Sequence, residues 1–496
     1  MTTSRHPSLF QVNTRVRLSE LSAALGRAAT LDDVPDTDFD QWACQGFDWV
    51  WLLGVWQTGR VGPAISRSNP EWRREFEELL PDLRESDICG SCFAVREYAV
   101  HTDFGGDAAL ARFRDRLRSR GMRLLLDFVP NHTAPDHPWV AAYPDFYMPG
   151  LAEQRQREPH NYCEVSLPDG PKILAYGRDP YFPGWPDTLQ LNYAEPKLQD
   201  ALVAELLRIA DRCDGVRCDM AMLVLPDVFE RTWGRRPAEF WPRAIAPVRE
   251  RHPGFLFMAE VYWDLEWTLQ QQGFDYTYDK RLYDRLRDQH ARPVREHFLA
   301  DLEFQCKSAR FLENHDEPRA AATFPADVHR AAAVLTFLCP GLRFMHQGQL
   351  QGKQKRIPVH LARGPVEPTD PALQEFYAAL LGCMRDPIVR DGEWRLLECR
   401  PAWDGNWTWD GFIAFAWEGP DGRLLIAVNY QPNQGQCYVR VSFEDLFGGR
   451  VRLTDRLGPA VYDRAGHDLA VPGLYLDLPA WGYHVFDVKV GNGKAC

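Results

Sequence analysis

Eight short apolar runs recur along the first 390 residues, and nothing else in the chain limits its fold as much. They are residues 8–13, 47–54, 122–129, 214–219, 254–260, 274–278, 308–313 and 342–346. A continuous apolar run that follows a short loop marks a strand buried on both faces, as in a parallel sheet. Sequence rich in helix formers fills most of the gaps. Between the second and third runs, Asp107 to Arg120 carries Leu110, Phe113 and Leu117 on one helical face, with Asp107 as a cap and Gly121 as the stop. Eight such strand–helix units predict an α/β fold, a (β/α)8 TIM barrel.

Two stretches break the rhythm. Residues 133–187 are rich in Pro, Tyr, Trp and Gly with little helical period, and they predict an inserted, loop-rich subdomain overhanging a site. From Asp391 the pattern changes to strands at 411–417, 423–430, 437–443 and 483–488, separated by Gly, Pro and Asp turns. This predicts a C-terminal antiparallel β domain. The expected division is a barrel of residues 1–132 and 188–390, an insert of 133–187 and an all-β domain of 391–496.

The formal net charge of −12 argues against nucleic acid or an anionic membrane as partner. The N-terminus has no apolar core of a secretory leader, and no stretch approaches the length of a membrane span. Twelve cysteines lie scattered without a disulfide framework, and Cys89-Gly-Ser-Cys92 is a lone pair, so a reducing cytoplasm is the expected location.

The strands end in polar groups: Asp127 with Asn131 and His132, Arg217 with Asp219, Glu260, and His315 with Asp316. Barrel chemistry happens at the C-terminal ends of strands. Carboxylates gathered there repel one another, so three of them need a chemical reason. Strand alternation puts Arg217 and Asp219 side by side, and the cation favours an ionised nucleophile. Glu260 follows the apolar run 255–259, where desolvation keeps a proton available. Asp316 is a third carboxylate able to orient hydroxyls and stabilise positive charge. A nucleophilic carboxylate, a protonated acid and a cationic transition state are the needs of retaining glycoside cleavage.

These segments resemble the signatures of the α-amylase family of retaining glycoside hydrolases, family 13. Asp127-Phe-Val-Pro-Asn-His132, Gly215-Val-Arg-Cys-Asp219, Phe257-Met-Ala-Glu260 and Phe311-Leu-Glu-Asn-His-Asp316 occur in the family's order, and Gln190-Leu-Asn192 resembles the short motif that closes its inserted domain. The resemblance implies Asp219 as nucleophile, Glu260 as acid/base and Asp316 as transition-state stabiliser. It implies that His132, Arg217 and His315 hold the sugar whose bond is cleaved, and that Tyr98 is the aromatic platform beneath it. Trp263 either lines the leaving-group side or packs. No cofactor is implied, and of the calcium site of amylases only Asn131 has a counterpart.

The sequence also departs from family members. Met222 and Leu223 stand where many amylases carry Lys-His against the leaving sugar, and Ala94 stands where exo-glucosidases often carry Asp. An apolar leaving-group wall and a preference for short α-glucosides over starch follow as expectations. A transglycosylase is the alternative within the family. A non-catalytic carbohydrate-binding relative is the alternative outside it, and the three intact carboxylates weigh against that.

Overall fold

The computed structural model describes residues 4–168, 170–441, 443 and 449–490. Eight parallel strands close into a barrel: β1 Ser8–Asn13, β2 Trp49–Leu53, β3 Arg123–Phe128, β4 Gly215–Cys218, β5 Leu256–Ala259, β6 Tyr276–Tyr278, β7 Ser308–Arg310 and β8 Leu342–His346. Neighbours in space are neighbours in sequence, and β8 pairs with β1 to complete the ring. Every residue of β2, β4, β5, β7 and β8 is buried, as their unbroken apolar character requires.

Register sets the site. Cys218 of β4 pairs with Ala259 of β5, so the residues that follow, Asp219 and Glu260, leave the barrel at the same level. The ladder reaches one residue further: Asp219 N–H donates to Phe128 O (2.8 Å) and Glu260 N–H to Cys218 O (3.0 Å). Only glycine fits at position 215. A Cβ there would lie 2.8 Å from the Leu256 carbonyl oxygen and 2.9 Å from the Leu125 side chain.

The helix between β2 and β3 runs Gly106–Arg118, and Gly121 (φ 80°) follows its end in the left-handed region. Asp107 does not cap it. The carboxylate instead accepts the Val100 N–H at 3.1 Å (Oδ1), because the chain enters the helix through Gly105. Between β3 and β4 the insert contains a hairpin, Tyr162–Leu167 with Gly170–Ala175, and a two-stranded pairing of His132–Thr133 with Leu189–Gln190 that ties its two ends together. A second long excursion, between β2 and β3, carries helices Val61–Ser68 and Pro70–Leu79.

After β8 the chain forms a six-stranded and a three-stranded antiparallel sheet around a separate apolar core. The strand expected at 437–443 is Gly435–Val439, and Ser442 lies outside the described residues. Trp417 Nε1 donates to Leu338 O and Tyr430 Oη to Leu286 O, both at 2.7 Å, which locks this sheet to the barrel. Among the described residues no helix is long and apolar enough to cross a membrane.

Asp127 of β3 is the fold support at the mouth of the barrel. Its buried carboxylate accepts from Trp51 Nε1 (3.1 Å) and Gly54 N–H (2.7 Å). Asp127→Ala leaves two buried donors unpaired and is expected to cost about 2–4 kcal/mol of stability. Denaturant unfolding checks it, and Asp127→Asn, which keeps an acceptor, should recover part of the loss.

Candidate functional site

Arg217 lies at the centre of the mouth, fully buried. Its Nη1 donates to Asp219 Oδ1 at 2.5 Å and its Nη2 to Glu260 Oε2 at 2.7 Å. One planar guanidinium therefore holds both carboxylates. Aromatic rings surround it: Phe93 at 5.1 Å, Trp51 at 5.4 Å and Tyr278 at 5.8 Å from its Cζ. Tyr278 Oη also accepts from Arg217 Nε at 3.3 Å.

Glu260 gains two further donors, Met220 N–H to Oε2 (2.7 Å) and Tyr262 Oη to Oε1 (2.9 Å). Burial nevertheless dominates, and with Asp219 and Asp316 nearby it pushes the Glu260 carboxyl up to about 7 against the pull of Arg217. Asp219 is also raised, because burial and the charges of Asp316 and Asp127 outweigh Arg217. Arg217 still favours the ionised nucleophile, as expected, but it does not offset the burial of Asp219. Asp316 behaves differently. Its side chain is open to the mouth of the cavity, and His315 and Arg217 hold the carboxyl down to about 2.

Asp316 reaches the site from the loop after β7. Asn314 Oδ1 accepts the N–H groups of Asp316 (2.8 Å) and Glu317 (2.9 Å), a side-chain turn that presents the carboxylate to the cavity. Gln11 Nε2 of β1 donates to His315 Nδ1 at 2.9 Å, which leaves the proton on Nε2, 3.0 Å from Asp316. His132 is buried, its ring 5.3 Å from Trp185, and desolvation lowers it to about 4, so it is a neutral donor or acceptor at physiological pH.

His132, Asp219, Glu260 and Asp316 line a cavity of about 330 Å³ with Trp72, Ser91, Phe93, Trp185, Asp187, Thr188, Met220, Tyr262, Val359 and His360. A second cavity of about 520 Å³ shares Met220 and Tyr262 with it, and Trp263, Asp264 and Glu266 line its wall. Met220, Trp263 and Asp264 all have left-handed backbone, with φ of 43°, 65° and 61°. Non-glycine residues held there store strain, which concentrates at functional sites.

Two expectations change. Tyr98 is not the platform: its hydroxyl donates to Val129 O (3.1 Å) and accepts the Val129 N–H (3.0 Å), and the ring packs between Trp56 and Phe128. Phe93, five residues earlier, is the aromatic that reaches the cavity. Met222 and Leu223 do not form the leaving-group wall, because the short 3₁₀ turn Ala221–Val224 buries both. Met220 takes that place. Trp263 lies in the second cavity, where its ring meets Tyr181 of the insert edge-on at 5.0 Å. Asn131 is tied up: its Oδ1 accepts from Gln190 Nε2 at 3.0 Å, and among the described residues no three His, Cys, Asp or Glu gather as metal ligands.

Arg217, Asp219, Glu260, Asp316, His132 and His315 thus come together as the strand ends predict. Trp72, Asp187 and His360 escaped the sequence reading because they sit on separate excursions with no shared period. Phe93 was discoverable as the first aromatic of the stretch that contains Tyr98.

Arg217→Ala is expected to lower kcat/KM about 100- to 1000-fold with the fold retained. Arg217→Lys should rescue little, because a point charge cannot hold two carboxylates in one plane. Steady-state kinetics with circular dichroism checks both, and turnover near that of the parent would contradict it.

The family model for the α-amylase catalytic domain matches residues 93–390. The chain is 26% identical over 271 residues to the α-amylase MalA of Haloarcula japonica, a match covering 52% of this chain and 36% of that one. It is 28% identical over 281 residues to the α-1,4-glucan:maltose-1-phosphate maltosyltransferase of Burkholderia pseudomallei, covering 53% and 21%. Both relatives are thus matched over well under two thirds of their length. The fold is similar to that of the noncanonic maltogenic α-amylase AmyB from Thermotoga neapolitana, with a TM-score of 0.70 at 16% identity over 99% of this chain and 100% of that one.

Proposed function

This chain belongs to the α-amylase family, and on that premise we propose that it cleaves α-glucosidic bonds with retention, through a covalent glycosyl–Asp219 intermediate. The observation that carries the reading is the shared Arg217, which brings Asp219 and Glu260 to two ends of one guanidinium. That closeness suits the retaining separation of roughly 5–5.5 Å rather than the wider spacing of an inverting pair.

The protonation states suit the two roles. Glu260, raised to about 7, keeps its proton for the leaving oxygen. Asp219 attacks the anomeric carbon. As the glycosidic bond breaks, the Glu260 proton passes to the departing oxygen and a C1–O bond forms to Asp219. Asp316, held ionised, faces the positive charge that develops on the ring. In the second step Glu260 accepts a proton from water or from an acceptor hydroxyl, whose oxygen bonds to C1 as the bond to Asp219 breaks. Transfer to a sugar hydroxyl is the second reading. The cavity beyond Met220 and Tyr262 supports it, because it offers room for an acceptor next to the acid/base.

Short α-glucosides or activated glucosyl donors are the substrates proposed, on the small volume of the cavity around Asp219, close to the lower end of ligand pockets at roughly 300 Å³. The free state of the eleven cysteines among the described residues supports a cytoplasmic location.

Treatment with 5-fluoro-α-D-glucosyl fluoride is expected to add one fluoroglucosyl group, found by peptide mass spectrometry on Asp219. A label elsewhere, or retention of labelling in Asp219→Asn, would overturn the assignment.

The raised Glu260 carboxyl also sets the pH profile. The group is protonated below about 7 and loses its proton above it, so kcat/KM should fall about tenfold per pH unit above that point. With a fluoride leaving group, which needs little acid help, Glu260→Gln should keep activity and lose that limb. An unchanged alkaline limb in the variant would assign it to another group.

A further inference from the structure

We propose that Asp187 and His360 close the glycone end of the cavity and hold the terminal hydroxyls of a single α-glucosyl ring, so that the enzyme acts only at chain ends. The inference rests on the retaining α-glucoside reading and names the substrate class of the same site.

Asp187 is 3% exposed and lines the cavity, yet its Oδ2 is buried with no hydrogen-bond partner. An unsatisfied buried carboxylate oxygen is costly and calls for an explanation. Its neighbour supplies one. His360 Nε2 lies 3.6 Å away, beyond hydrogen-bond length but suited to an inserted hydroxyl. A sugar hydroxyl donates to the carboxylate and accepts from an imidazole N–H at once. The charge of Asp187 is also felt at His132, so it stands beside the ring that faces the same sugar.

The wall behind is built to stay shut. Trp72 packs on His360 with ring centroids 4.4 Å apart. The His360 carbonyl accepts the Cys89 N–H (2.9 Å), Leu361 forms a β-bridge with Ile88, and Arg363 pairs with Asp87 (2.7 Å). Leu361 and Ile88 join Phe76 and Leu80 in a small apolar cluster, which fixes the helix that carries Trp72. None of these residues lines the second cavity. The leaving group departs on the Glu260 and Tyr262 side, and the Asp187 side ends at a wall. Ala94 leaves this anchoring to Asp187. Arg319 cannot supply it, because it is committed to Glu313 (2.5 Å) and to the Gln347 carbonyl (2.9 Å).

The test uses α-D-glucosyl fluoride and α-maltosyl fluoride, which differ by one glycone ring. The parent enzyme should favour glucosyl fluoride by at least about 100-fold in kcat/KM, and Trp72→Ala with His360→Ala should narrow that ratio by admitting the second ring. Asp187→Ala should raise KM for glucosyl fluoride about 10- to 100-fold with a smaller change in kcat. Asp187→Asn should recover part of this, and neither variant should lower the melting temperature, because an unpaired buried charge is relieved. A merely structural Asp187 would instead lower the melting temperature and leave KM alone. Maltosyl fluoride used as well as glucosyl fluoride, or Asp187→Ala within twofold of the parent, would overturn the inference. In that case an Asp219 adduct formed from 5-fluoro-α-D-glucosyl fluoride would leave the retaining reading intact. Absence of any adduct would remove the reading and the inference with it.

Discussion

Two buried carboxylates share one guanidinium, and the chemistry of this barrel depends on that arrangement. Arg217 is the cation bonded directly to Asp219 and Glu260, and both acids are desolvated. Burial raises both, while His315 holds the third acid, Asp316, well below them. A site with three acids and one fixed cation favours keeping a proton, and Glu260, pushed up to about 7, is the group proposed to hold it. The division of labour proposed between acid and nucleophile thus rests on unequal surroundings rather than on residue type. The register of β4 against β5 is what makes the sharing possible. A slip by one residue would turn Asp219 to the outer face of the barrel.

The barrel was legible because its strands are buried on both faces and therefore read as unbroken apolar runs. The eight runs correspond one for one with the eight strands, although β7 ends at Arg310, sooner than the run to 313 suggests. There the chain leaves the ladder so that Glu313 can pair with Arg319 and Asn314 can build the turn that presents Asp316. The groups at strand ends were legible for the same reason, since topology alone brings them together.

Side chains carried on excursions were not legible. Which of Phe93 and Tyr98 faces the sugar depends on a bulged pairing of Val95–Val100 with Trp56–Thr58, which turns Tyr98 onto the Val129 backbone. Met222 and Leu223 look like wall residues in sequence, but the left-handed Met220 starts a tight turn that buries both. Trp72 and His360 lie 288 positions apart and meet only through the apolar cluster under the loop after β8. No local pattern encodes such a contact.

Retention requires that the anomeric carbon be attacked twice from opposite faces, first by Asp219 and then by the acceptor. Proton NMR of the first sugar released from α-D-glucosyl fluoride, recorded before mutarotation, tests it most directly. The account predicts the α-anomer as the initial product, relaxing later to the equilibrium mixture. Initial appearance of the β-anomer would mean a single displacement and would contradict the role given to Asp219.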